Sequence, residues 1–133
     1  MKKKLINNVL KEALANGGPT DGVWPNVDPK GKTVRPYFEV QFTTSVRNGP
    51  VLKGDLVREV GQMVVTVVVK EGSNEDAAND YADDISDLFP QGSVFPIDGG
   101  FVTITNPADI RAGVRDSPDW RVPVVVKYTA VNT

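Results

Sequence analysis

A chain of 133 residues with no cysteine and no histidine excludes disulfides, thiol catalysis, thiolate metal sites and any Ser-His-Asp triad. Its net charge of −2 is the opposite of the basic footprint of a nucleic-acid binder. No apolar run reaches the roughly 18 residues that a membrane span needs.

One domain over residues 1–133 is the expectation from length, and a chain of this size can hold a core without staples. Met1-Lys2-Lys3-Lys4 has the basic start of a signal peptide, but Asn7, Asn8, Lys11 and Glu12 interrupt any apolar stretch. The chain is therefore expected to be made and used in the cytoplasm. Residues 4–15 predict a first helix, with Leu5, Ile6, Val9, Leu10, Ala13 and Leu14 on one face. Asn16-Gly17-Gly18 supplies a left-handed stop. The lysines at its start oppose the helix dipole, so the first turn is expected to fray.

Residues 17–36 are rich in Gly, Pro, Asp and Asn and read as a long loop. Trp24 is the exception, expected to pack its ring on the core edge and pin the loop. Residues 37–44 read as strand one, because Phe38, Val40 and Phe42 alternate with Glu39, Gln41 and Thr43. Residues 45–57 carry turn signals in Asn48-Gly49-Pro50 and Lys53-Gly54-Asp55, and predict a long projecting loop or hairpin. Strand two, 58–70, is apolar on both faces around Val64 to Val69. It is expected in the middle of a sheet, covered on both sides.

Residues 74–89 predict the second helix, starting at Ser73 or Asn74 and buried through Ala78, Tyr81, Ala82, Ile85, Leu88 and Phe89. Residues 101–105 read as strand three, 108–118 as a polar loop, and 120–129 as strand four. Pro123 lacks an N–H, which places strand four at a sheet edge or at a bulge. The expected fold is α+β in the order α-β-β-α-β-β. It has a mixed or antiparallel four-stranded sheet with both helices packed on one face.

The strongest charge feature is the second helix, where Asp76, Asp80, Asp83 and Asp87 share one side with Glu75 and Asp84 nearby. A single helix cannot make these carboxylates converge on a metal. A solvated face is the first reading, contact with a basic partner the second, and a divalent cation the last. Asp109, Arg111, Arg115 and Asp116 read as loop ion pairs. No serine lies in Gly-x-Ser-x-Gly, and Gly99-Gly100 precedes a strand, so it cannot cradle phosphate. Neither catalytic residues, nor a metal site, nor a cofactor is expected.

Several segments in order resemble one family. They are the N-terminal helix, Trp24-Pro25-Asn26-Val27, Pro36-Tyr37-Phe38-Glu39-Val40, and Val65-Thr66-Val67-Val68-Val69 with its polar turn. Leu88-Phe89-Pro90-Gln91-Gly92 and the closing stretch from Trp120 to Tyr128 complete the set. Together they resemble the tail-terminator-like proteins of long-tailed bacteriophages.

The resemblance implies a structural virion protein at the head-proximal end of the tail, assembled in the host cytoplasm. Such proteins form a ring of six copies that caps the tail tube, ends its polymerisation and joins the tail to the head. The implied partners are further copies of the chain, the major tail tube protein and a neck or head-completion protein, without a membrane. DNA passes through the lumen without specific binding; six copies at −2 each would carry −12. The acidic second helix departs from the family pattern.

A ring closed by rotation needs two different patches on each copy. Arg47, Asn48, Val51, Leu52, Lys53, Asp55 and Arg58 are the candidate contacts with a neighbouring copy or the tube. Asp76, Asp80, Asp83 and Asp87 form the candidate partner-facing acidic surface. Two other readings stay open, a neck or head-completion connector and a small α+β binding module outside the virion. A ferredoxin-like nucleic-acid module predicts β-α-β-β-α-β order and exposed sheet aromatics. Here Phe38, Phe42, Trp120 and Tyr128 alternate as core residues.

Overall fold

The computed structural model describes residues 3–17, 22–23, 37–48, 58–70, 72, 75–116 and 119–132. Helix α1 (Lys3–Gly17) buries Ile6, Leu10 and Leu14, one turn apart on one face, as the spacing predicts. It runs on through Gly17 rather than stopping there. Gly18, Trp24 and most of the 17–36 loop lie outside the described residues.

One sheet holds β1 (Gly22–Val23), β2 (Tyr37–Asn48), β3 (Arg58–Lys70), β4 (Val94–Ile97), β5 (Gly100–Ile104), β6 (Asp109–Ile110), β7 (Val114–Asp116) and β8 (Asp119–Asn132). The order is β1-β2-β3-β8-β5-β4, with β6 and β7 also paired to β8. Every pairing is antiparallel except the two-residue β1–β2 contact. The α+β class stands, but the four-stranded sheet is corrected to eight strands among the described residues. β4 is an element the sequence reading lacks, the 17–36 loop contains β1, and the 108–118 loop contains β6 and β7.

β2 and β3 form a hairpin paired as far as Asn48↔Arg58, with a bulge between Thr44 and Val46. Pairing thus continues into residues read as loop. The valine run of β3 explains its central place. Met63, Val65 and Val67 point to the helix side, while Val68 on the opposite face is also fully buried.

β8 organises the rest. One of its edges pairs with β3 along the whole strand. The other takes β7, β6 and β5 in series, at Trp120, Val124 and Thr129 among others. Strand four is therefore interior, and the edge placement inferred from Pro123 is corrected. The Arg111 N–H donates to the Pro123 carbonyl at 2.8 Å. In a strand the N–H and C=O of one residue point to the same side, so the missing donor of Pro123 faces the gap between β6 and β7. The partner strand, rather than β8, is interrupted.

Helix α2 (Glu75–Asp87) lays Ala78, Ala82 and Ile85 on the sheet. It tightens at its end through Leu88 N–H to Ile85 O and Phe89 N–H to Ser86 O, both 3.1 Å. The turn that follows is tied to β5 by Gly92 N–H to Ile104 O at 2.8 Å and Ile104 N–H to Ser93 O at 2.9 Å. Asp98 and Gly99 then turn β4 into β5, with Gly99 at φ 84°, which a side chain would strain. Both helices share a single core with Phe38, Val40, Val65, Val102, Val124 and Val126, so they cover one face of the sheet.

Candidate assembly surfaces

The predicted contact residues divide into two groups. Arg47 and Asn48 end β2, and Arg58 opens β3 with an exposed side chain. Val51, Leu52, Lys53 and Asp55 lie outside the described residues. The acidic group is intact. Asp76, Asp80, Asp83 and Asp87 are all exposed on α2, with Asp84 beside them, opposite the buried Ala78, Ala82 and Ile85. Among the described residues no cluster of carboxylates could hold a metal ion. The helix carries six carboxylates and no base, so with −2 overall the rest of the chain carries +4.

At the paired end of the hairpin lies a buried polar pair. Glu59 is 0% exposed and sits on the core side of β3, in register with Arg47 on β2 and Ala130 on β8. The buried Tyr128 hydroxyl donates to Glu59 Oε2 at 3.1 Å, satisfying a carboxylate lone pair that burial would leave costly. Burial raises the Tyr128 pKa, and the charge and hydrogen bond of Glu59 raise it further; a hydrogen bond with Thr44 opposes them. The folded state therefore holds this proton more tightly than the unfolded chain, whose phenol titrates near 10.0. Stability from this group is intact below pH 10 and is lost as pH rises above it. The urea midpoint should fall above pH 10 more steeply in the native chain than in Tyr128→Phe. Parallel pH profiles would contradict this assignment.

On the face of the sheet away from the helices, Arg121 bridges two acids. Its Nη1 donates to Glu39 Oε2 at 2.8 Å and its Nε to Asp116 Oδ2 at 2.9 Å. Burial works against the charged guanidinium, but Glu39 and then Asp116 outweigh it, so its pKa is raised. The bridge spans from β7 across β8 and β3 to β2, over the buried Val68 and Tyr37. Arg111 pairs with Asp109 at 3.3 Å in the open, as the loop ion-pair reading expects.

The other end of that face exposes apolar side chains. The register sets Pro96, Phe101, Val131 and Arg58 in one row and Val94, Thr103, Thr129 and Val60 in the next. Lys127 and Gln62 follow in a third. Phe101 is 44% exposed and Val94 54%. Sequence reasoning named neither, nor Glu59. Parity held the signal: Phe101 is out of step with Val102 and Ile104, while Glu59 is in step with Met63, Val65 and Val67.

A family model described as phage tail terminator protein matches residues 4–128. A solved structure that carries no functional description is similar over 98% of this chain and 96% of its own. Its identity is 21% and its TM-score 0.74, a likeness that bears on the fold alone. No curated protein matches.

Proposed function

Since the chain belongs to the phage tail terminator family, a family of structural tail components, we propose that it forms a ring capping the tail tube. In this reading the ring ends tube polymerisation and offers the surface that joins the tail to the head. The family match over residues 4–128 carries the proposal. The partners are further copies of the chain, in a ring of six, together with the major tail tube protein and a neck or head-completion protein. DNA passes through the lumen unbound. The protein works as a single domain without catalysis or cofactor, at the head-proximal end of the tail after assembly in the host cytoplasm.

Two features support a head-to-tail ring. The charge of the chain is segregated, with a purely acidic α2 against a net basic remainder. The apolar corner at Phe101 and Val94 lies on the other side of the domain from that helix. Heterologous rings need two such unlike patches. The segment from Arg47 to Arg58 is proposed to touch the neighbouring copy or the tube.

Electron microscopy of tail tubes polymerised with and without the protein tests this. Tubes of defined length with an extra terminal ring are expected, and loss of residues 48–53 should impair capping. Tubes that grow unchecked in its presence would refute the terminator role. Normal capping by the shortened chain would remove the 47–58 segment from the interface.

A further inference from the structure

Among the described residues the helices cover one face of the sheet, and the far face is buried at one end and exposes apolar side chains at the other. At the sealed end Tyr37 and Val68 are buried beneath the Arg121 bridge, and Val125, four residues further along β8, is buried on the same face. At the open end, the three rows from Arg58 to Lys127 present Phe101, Val94 and Pro96 exposed, with Val60 and Val131 half-buried. The described side chains on these rows include two exposed cations, Arg58 and Lys127, and no carboxylate. Neither cation forms an ion pair among the described residues. An exposed apolar patch rimmed by unpaired charge marks an interaction surface.

We propose that this open corner of the sheet docks a second copy of the chain, which presents the acidic outer side of its α2. The inference rests on the ring reading above and names the pair of surfaces that would build the ring. Charge complementarity identifies the occupant. Asp80, Asp83, Asp84 and Asp87 are exposed, and none of them forms an ion pair among the described residues.

The spacing also agrees. Arg58 lies four residues along β3 from Gln62, the partner of Lys127, so the two cations start roughly 14 Å apart along the strand. Asp80 and Asp87 are seven residues apart on a helix, roughly 10 Å. Long Lys and Arg side chains close that difference.

Geometry fixes the symmetry. α2 turns its carboxylates away from the sheet, and the open corner faces the opposite way. The two patches therefore cannot meet as a two-fold pair; they meet head to tail, a contact that closes into a ring when the rotation from copy to copy returns to the start. Duplex DNA could use the two cations, but it would gain little from covering Phe101 and Val94.

Three charge-reversed forms of the full chain test the pairing by sedimentation velocity, alone and with tail tubes. They are Arg58→Glu with Lys127→Glu, Asp80→Lys with Asp84→Lys and Asp87→Lys, and all five changes together. Every altered side chain is exposed, and circular dichroism melts check that each form folds.

Each single set should weaken association at least tenfold. The combined form, and an equimolar mixture of the two single sets, should regain it. Single sets that associate like the native chain would overturn the pairing and leave the ring reading standing. Loss in both single sets without recovery in the combination or the mixture would also overturn it. Normal association with lost duplex DNA retention in the Arg58/Lys127 form would make the corner a nucleic-acid surface instead. A native chain that stays monomeric even with tubes present would overturn the ring reading itself.

Discussion

Gly61→Ala is expected to cost about 2–6 kcal/mol, a large part of the stability of an ordinary domain. A Cβ at this position would lie 2.7 Å from the Thr43 carbonyl oxygen and 2.7 Å from the Tyr128 hydroxyl. The first neighbour is backbone, paired across the β2–β3 hairpin, and cannot give way without disturbing that pairing. Overpacking of this kind costs about 1–3 kcal/mol. The second neighbour donates to Glu59, and a buried carboxylate that loses this hydrogen bond costs a further 1–3 kcal/mol or so. Urea unfolding measures the sum. The penalties of Gly61→Ala and Tyr128→Phe should fall short of additivity, because both act through one hydroxyl. A loss under about 1 kcal/mol would mean that the strands separate more easily than this packing implies.

Phe89→Ala should be comparably severe, at about 3–5 kcal/mol. The ring is fully buried at the exit of α2, and its centroid lies 6.0 Å from that of Phe95 on β4, with the planes tilted by 50°. It thus ties the end of the helix, the turn through Pro90 and the β4–β5 hairpin into one core. Truncation leaves a cavity between elements that the chain joins through only a short turn. Hydrogen exchange should show faster opening in residues 85–104 than in the β2–β3 hairpin. Uniform acceleration across the sheet would indicate that Phe89 supports the whole core evenly.

The elements that the sequence announced are those whose period is set by their own side chains. The stripes through Ile6, Leu10 and Leu14 and through Ala78, Ala82 and Ile85 predicted both helices. The alternation of Phe38, Val40 and Phe42 predicted the start of β2. β6 and β7 are different, for they are only two and three residues long. Their Asp, Arg and Val residues have no period of their own, and they become strands because β8 offers its free edge. β4 has only four residues, Pro96 among them, too short a run to distinguish from a turn.

Pro123 misled for a related reason. A missing donor must face an unpaired position, and a broken neighbouring strand supplies one as well as a sheet edge does. For the surfaces, the acidic side of α2 was visible at once because helical spacing collects its carboxylates. The apolar corner was hidden because it comes from four strands, and only their register brings Val94, Phe101, Val131 and Val60 together.

The placement of β8 has a consequence for how the chain comes together in time. Every strand that it joins precedes it in sequence, and within the described sheet the β1-β2-β3 unit and the β4-β5 hairpin pair only through it. During synthesis those two units can form locally, but they remain separate pieces until residues 119–132 arrive to bridge them. Closing the sheet is therefore a late, long-range event of the kind that slows folding. The open corner spans both units, with Arg58 and Val60 on one and Val94 and Phe101 on the other. A nascent chain cannot display that surface whole, so copies become competent to join one another only after each has finished folding.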